Sequence, residues 1–423
     1  MDVKGAFNLP FKEAQKYIEG KKILLPTETW KDITQSAHSK AFVIAGVTKM
    51  EFLGDVHNII NEQMKNGTSF NDFRKNFREK VAQHGWTEFQ TAGRAPTETR
   101  KYQAWRTKII YHTNMNAAFA AGRWAQITSD NARQNFPYLE YRHGFYGMPK
   151  NPRAEHKAWH GIVLPIDDPF WADHYPPNGF NCNCGVRQLT RDEAEEKLGI
   201  VDGSESGPDS EYGEEKALKR MRRYAYSHKS QDDKLQKSGW AYNVGADDTK
   251  GYVSLFKKIG EMGGKGGKYA DIATKTWENI SDNSPELFKE SLGLWNNKFY
   301  GNKGTKTGRV DTVRTAGIIS RERFKEINRI FREKTGRDLM NNPVVGISER
   351  RFEHAVRESF GNHIQPEKDF FQKIAEALEK GKLRFSPKYK AGESIVVIEF
   401  DGHEIAVAKD GSIATFYKKK ESN

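Results

Sequence analysis

RAEHKAWHGIVLPIDDPFWADHYPPNGFNCNCGVR, residues 153–187, gathers three histidines (His156, His160, His174) and both cysteines of the chain (Cys182, Cys184). It also holds an Asp167-Asp168-Pro169-Phe170-Trp171 run and a Tyr175-Pro176-Pro177-Asn178-Gly179 turn. No other stretch is as dense in residues with special chemistry. A Cys-x-Cys pair held by a Pro-Pro-Asn-Gly turn, with histidines upstream, supplies the thiolate and imidazole ligands of a tetrahedral zinc site. A single intervening residue points the two sulfurs apart unless the backbone turns between them. The same residues also serve as small apolar thiols and satisfied imidazoles in an irregular, Pro-rich core. Both alternatives stand at this level; the set that would hold zinc is His156, His174, Cys182 and Cys184.

The chain has 423 residues, room for two or three domains with sizeable cores. Two cysteines argue against a disulfide scaffold and fit a reducing compartment. The N-terminal MDVKGAFNLPFKEAQ lacks the charged-then-apolar order of a signal peptide, and no apolar run approaches bilayer length. The net charge of +12 points to a polyanionic partner such as nucleic acid. Residues 301–423 carry 25 Lys and Arg against 18 Asp and Glu, which places +7 of that excess in the tail.

From Pro10 to about Ile127 the pattern is helical. Phe11, Ala14, Tyr17 and Ile18 recur at helical spacing, and Phe42, Val43, Ala45, Gly46, Val47 and Met50 continue it. Thr68-Ser69-Phe70 opens another helix with Phe70, Phe73 and Phe77 along its core side. Ile109–Ile127 reads as one long helix rich in small residues, so a neighbouring helix or chain can approach closely. Arg191–Leu198 is a helix stopped by Gly199, and 201–213 is a polar loop. Lys216–Lys229, with its Lys219-Arg220-Met221-Arg222-Arg223 run, is a basic helix whose charged side faces either solvent or DNA phosphates. GEMGGKGGK at 260–268 lacks the order of a phosphate-binding loop and reads as a flexible joint.

The last module is legible from spacing. Helices are expected over Ser320–Lys334, over Ser348–Phe360 with Ser348 as N-cap, and from Pro366 to a stop at Gly381. Three strands follow, Ser394–Phe400, His403–Lys409 and Ser412–Lys418, separated by Asp401-Gly402 and Asp410-Gly411, strong two-residue hairpin signals. Two-residue turns fix the register: Phe400 opposes His403, Ile398 opposes Ile405 and Val396 opposes Val407, with Ala414 and Phe416 joining that core face. The other face is expected to be exposed and to carry Glu399 opposite Glu404, beside Thr415 and Tyr417. Like charges so placed raise one carboxyl pKa, as acid–base chemistry requires, although an ordinary solvated face looks the same. His354 lies away from the Phe352–Val356 stripe of its helix and offers an imidazole, the side chain whose ordinary range spans neutral pH. The fold class expected is therefore α+β. A mainly helical module spans 1–259 and includes the irregular Cys/His/Pro-rich segment; a flexible linker covers 260–283; a small α+β domain with an antiparallel β-meander covers 284–423.

Glu155-His156, Trp159-His160-Gly161, Asp167-Asp168-Pro169-Phe170-Trp171, His174-Tyr175-Pro176-Pro177-Asn178-Gly179 and Cys182-x-Cys184-x-Val186-Arg187 closely resemble the signature of phage Mu F-like minor head (head-morphogenesis) proteins. Ala41–Gly46, Tyr111–Asn114, Ala117–Arg123 and Gly239–Asn243 extend the resemblance. Phe180-Asn181 stands where that family more often has Trp-Gly. The resemblance implies a role in head morphogenesis and in DNA packaging or ejection. Implied partners are portal and major capsid proteins and packaged DNA, and the implied location is the virion head or the host cytoplasm.

The order of helices and meander in the last third resembles the barnase/EndoU/colicin/RelE-like ribonuclease toxins, which cleave RNA without a metal cofactor. That resemblance implies an RNA substrate and an immunity protein as partners. It implies proton transfer by His354, phosphate contact by Arg357 or Lys418, and positioning by Thr415 and Tyr417, with Glu399 in the same cluster. The alternative is a purely structural head protein whose basic C-terminal module grips DNA or the portal without catalysis.

Overall fold

The computed structural model describes residues 11–21, 23–33, 36–86, 95–200, 210–246, 249–264, 267–282, 313–348, 370–387, 394–408 and 413–418. It is a mixture of helices and small antiparallel sheets, and it divides into two units, Met1–Ala246 and Asp247–Asn423.

In the first unit, α1 (Lys12–Gly20), α2 (Met50–Asn66), α3 (Phe70–His84) and α4 (Pro96–Ile127) enclose one apolar core. Helix α3 begins where its sequence says it should: the Ser69 hydroxyl accepts from the Asp72 N–H while the Asp72 carboxylate accepts from the Ser69 N–H, a reciprocal cap. Phe73 and Phe77 are fully buried against Phe52. The helical pattern expected across Phe42–Met50 is broken. Ala41–Phe42 (β2) instead pairs in parallel with Ile23–Leu24 (β1), and the chain turns at Gly46, φ +78°, before α2 begins at Met50.

The small residues of α4 do admit a close neighbour, and that neighbour is α1. A Cβ on Gly122 would sit 2.6 Å from the Ala14 nitrogen and 3.0 Å from its Cα. Both are backbone atoms, so no rotamer change relieves the clash. Gly122→Ala is expected to destabilise this unit by about 1–3 kcal/mol despite the better helix propensity of alanine, read as a fall in denaturant midpoint at unchanged m.

Lys21 ends α1 inside the same core, its ammonium 5.6 Å from the Tyr17 ring centre and 5.9 Å from that of Phe42. Burial pushes its pKa down from 10.5 to about 8. Between those values the unfolded chain keeps a proton that the folded chain has lost, so stability rises with pH across that window. Lys21→Met is expected to abolish that rise and to raise stability at pH 7, measured as melting temperature against pH.

The second half of this unit is built on β3 (Tyr138–Arg142), the centre of a three-stranded antiparallel sheet. On one side β3 pairs with β4 (Val163–Pro165), Leu139 opposite Leu164; on the other it pairs with β5 (Gly185–Leu189), Tyr141 opposite Val186. The Cys/His/Pro-rich segment is thus not merely irregular. It supplies two strands and two single-turn helices, α5 (Ala154–Ala158) and α6 (Phe170–His174). Helix α7 (Arg191–Leu198) is capped by Thr190 and Glu193 and stopped by Gly199 at φ +70°. The basic stretch forms α8 (Ser210–Ala225) and α9 (Lys229–Ser238). Part of its charge is spent internally: Arg222 pairs with the buried Asp168 carboxylate at 2.5 Å and Arg220 donates to the Leu198 carbonyl at 2.6 Å.

The second unit holds α10 (Thr249–Gly264) and α11 (Gly267–Asp282), which occupy the region expected to be a flexible joint. Leu255, Phe256, Ile259 and Met262 bury one stripe of α10, and the indole of Trp277 on α11 donates to the Ile319 carbonyl at 3.1 Å. An apolar stripe at helical spacing outweighs the glycines here.

Strand β6 (Val313–Ile318) pairs antiparallel with β7 (Val344–Ser348), a pairing absent from the sequence expectation, so Ser348 closes a strand. The helix expected over Ser348–Phe360 otherwise lies outside the described residues. Between these strands runs α12 (Arg321–Thr335), close to the expected Ser320–Lys334, with Ser320 as its N-cap. Then come α13 (Phe370–Lys380), β8 (Lys382–Ser386), β9 (Ile395–Phe400), β10 (His403–Val407) and β11 (Ile413–Lys418), the sheet order being β11-β10-β9-β8.

The meander register holds across the first hairpin: Phe400 faces His403, Glu399 faces Glu404, Ile398 faces Ile405 and Val396 faces Val407. Asp401 and Gly402 both have positive φ, +45° and +71°, as the hairpin turn demands. A bulge at Ala406/Val407 sets Ile413, not Ala414, opposite Val407, and Ile413 takes the core place expected for Ala414.

Candidate metal centre

Three elements converge behind β3. Helix α5 carries His156, the strand β5 is preceded by Cys184, and the turn after the cis Pro176–Pro177 bond carries Cys182. The turn is held at both ends. Arg153 donates to the Phe180 carbonyl at 2.6 Å and lies against Gly179, where a Cβ would come 2.7 Å from its guanidinium. The Cys182 N–H bonds the Gly179 carbonyl at 3.2 Å. Between them Asn181 sits at φ +55°, a left-handed position that asparagine tolerates. The departure from Trp-Gly is thereby accommodated: Asn181 takes the glycine conformation, and Phe180 packs edge-on against Trp30 and Trp240.

That backbone reversal brings the two sulfurs to the same side. Cys182 Sγ lies 3.6 Å and Cys184 Sγ 3.4 Å from His156 Nδ1, and the three ligand atoms all lie within 4.8 Å of one another, all three residues buried. His156 Nε2 is buried with no hydrogen-bond partner, so Nδ1 is the nitrogen committed to the sulfurs. Behind them Trp159, fully buried, stacks on His156 and meets Tyr141 edge-on. The Tyr141 hydroxyl touches Cys184 and donates to Asn178 Oδ1 at 2.9 Å. The neighbouring Cys182 thiol foremost, then the His156 ring and the Tyr141 hydroxyl, favour the charged form of Cys184 and lower its pKa. Cys182 is pushed up correspondingly, first by its bond to Cys184 and then by burial. Two sulfurs and an imidazole nitrogen converging in a buried pocket are a donor set that suits a soft cation.

His174 does not join this set. It sits on the single turn of α6, with Nδ1 against the Phe170 carbonyl at 3.0 Å and Nε2 against Asp232 of α9 at 3.1 Å. Both nitrogens are turned to oxygen atoms of other groups, and neither belongs to the sulfur cluster. His160 is exposed and accepts from the His143 N–H. Of the four ligands expected, the structure thus assembles His156, Cys182 and Cys184. Tyr141 and Asn178 were missed as neighbours: Asn178 lay inside the signature run, whereas nothing local in YLEYR marks Tyr141.

The catalytic set expected in the second unit is only partly described. His354 and Arg357 lie outside the described residues. On β11, Tyr417 pairs opposite Glu404, Thr415 opposite Ala406 and Lys418 opposite His403. The sheet face expected to be solvated instead buries Ile395, Val397 and Ala406. Nor do Glu399 and Glu404 oppose each other as bare like charges. Arg384, from a strand the sequence did not declare, lies 2.9 Å from Glu399 and 3.4 Å from Glu404. The two carboxylates, Glu399 foremost, hold that guanidinium firmly cationic.

Residues 54–187 match the family model described as Phage Mu protein F like protein. The matched span runs from within α2 to Arg187 on β5 and contains His156, Cys182 and Cys184, so this stretch of the chain is similar to that family. It is 32% identical over 193 residues to the putative capsid assembly protein F of Escherichia phage Mu, covering 45% of this chain and 43% of that protein. It is 26% identical over 334 residues to the Mu-like prophage FluMu F protein of Haemophilus influenzae, covering 78% of this chain and 76% of that one. The chain thus spans less than half the length of the phage Mu relative. No solved structure matches it. Among the described residues no helix is long and apolar enough to cross a membrane.

Proposed function

We propose that this chain is a phage or prophage capsid assembly protein that acts in head morphogenesis alongside portal and major capsid proteins and the packaged DNA. The observation that carries this is the Mu F-like match over 54–187, because it coincides with residues that build the buried core around β3 rather than with an interchangeable surface. The similarity to the FluMu F protein supports it further. At 334 residues it is longer than the 246-residue first unit and must run into the second, so the second unit is counted here as part of the assembly protein.

A nonsense codon in this gene, in a phage or induced prophage that encodes it, is expected to abolish DNA-filled heads, with rescue by the chain supplied in trans. Full heads of normal titre without the chain would overturn the proposal.

A ribonuclease activity in the second unit is the competing function. It is favoured by the order of its elements but disfavoured at Glu399 and Glu404, which Arg384 occupies. The full chain, incubated with total RNA in EDTA, is therefore expected to leave the RNA intact. Products with 2′,3′-cyclic phosphate ends, lost in His354→Ala, would establish the nuclease instead, with RNA as substrate and an immunity protein as the partner to seek.

A further inference from the structure

We propose that His156, Cys182 and Cys184 bind one zinc ion through Nδ1 and the two sulfurs, and that this ion locks the fold around β3. The distances carry the assignment. With zinc about 2.3 Å from sulfur and about 2.05 Å from nitrogen, a tetrahedral site has N···S edges of about 3.6 Å. The structure has 3.4 and 3.6 Å. In an extended chain, residues i and i+2 share a face but stand about 6.6 Å apart, too far for one ion. Here the backbone reverses at Asn181, φ +55°, and Arg153 lies against Gly179, and the two sulfurs come together on one side. A packing role for two small thiols demands none of this.

Charge and hydrogen bonding agree. Two thiolates and a neutral imidazole around Zn²⁺ sum to zero, which a buried site tolerates far better than an isolated thiolate. Without an ion, the one ring nitrogen Nδ1 stands within reach of both sulfurs, at 3.6 and 3.4 Å. With the ion, all three ligand atoms are used, and the Tyr141 hydroxyl, which donates to Asn178 Oδ1 at 2.9 Å, lies beside Cys184.

The ion would join three separate pieces of chain: α5, the proline turn and the start of β5. Its reach extends to the surface through Asn183, between the two cysteines. The Asn183 carbonyl accepts from the Tyr146 N–H at 3.0 Å and its amide donates to the Gly147 carbonyl at 3.2 Å. Asn183 thereby pins the loop that exposes Phe145, Tyr146 and Met148. Losing the ion should loosen that loop first.

The test uses the full chain purified without chelator. Elemental analysis should give about one zinc per chain. Cys182→Ser, Cys184→Ser and His156→Gln should each lose it, while His174→Gln should keep it. Because a ligand variant can fail to fold, the parent carries a second measurement. Metal-free parent, refolded with cobalt(II), should develop intense tetrahedral absorption in the visible and a sulfur-to-cobalt charge-transfer band. Without metal it should be cleaved within residues 143–148 by protease at least tenfold faster. The proposal is overturned if the folded parent carries no metal and gives no cobalt spectrum while showing two free thiols in denaturant, or if its intact mass reveals a Cys182–Cys184 disulfide. It is also overturned if His174→Gln alone releases the metal.

Discussion

Trp159→Ala is expected to cost the first unit about 3–5 kcal/mol, the range for emptying a fully buried tryptophan site, out of a total typically of about 5–15 kcal/mol. The indole is wholly buried and touches the rings of His156, Tyr141 and His174 at once, with centres 5.9, 5.8 and 4.8 Å away. Those three rings come from α5, β3 and α6, so no single element can move in to fill the cavity. Trp159→Phe keeps most of the contact and should recover more than half of the loss. Chemical denaturation followed by the remaining tryptophans measures both. A Trp159→Ala chain with an unchanged midpoint would show that this core is not where the unit's stability resides.

Asn328→Ala should be comparably severe in the second unit, at about 3 kcal/mol or more. The buried Asn328 side chain on α12 accepts from the Leu339 and Met340 N–H groups at 3.0 and 2.9 Å and donates to the Met340 carbonyl at 3.0 Å. Removing it orphans two donors and an acceptor inside the core, at about 1–3 kcal/mol each where water cannot reach. The segment after α12 would lose its anchor and with it the placement of Leu339 and Met340 in the core. Asn328→Leu restores volume but none of the bonds, so it should fare no better. Amide hydrogen exchange at 336–343 reports the loosening directly; full protection in Asn328→Ala would contradict this.

What the sequence made legible follows from how local the signal is. Thr68-Ser69 announces a helix start and Gly199 a helix end because both signals span only a few residues. The β9–β10 register could be read because Asp401-Gly402 fixes both turn and pairing within the hairpin. Cys182, Cys184 and His156 were found because they crowd one short run. The failures are non-local. Arg384 reaches Glu399 from a strand whose KLRFS pattern is half-buried and borders no turn dipeptide, so the carboxylate pair looked bare. Tyr141 reaches the thiol cluster only through the pairing of β3 with β5, 44 residues further on. His174 lies closer in sequence to Cys182 than His156 does, yet the single turn of α6 aims it at Asp232. The bulge at Ala406/Val407 leaves no mark in a stretch that alternates regularly.

The most direct measurement for the head-assembly role is mass spectrometry on density-banded, DNA-filled heads from a phage or induced prophage that encodes this chain. Peptides from both units, 1–246 and 247–423, should be found in the heads and should stay with them through high-salt washing. Heads that are full and infectious but free of the chain, with all of it left in the soluble lysate, would contradict a place in the capsid.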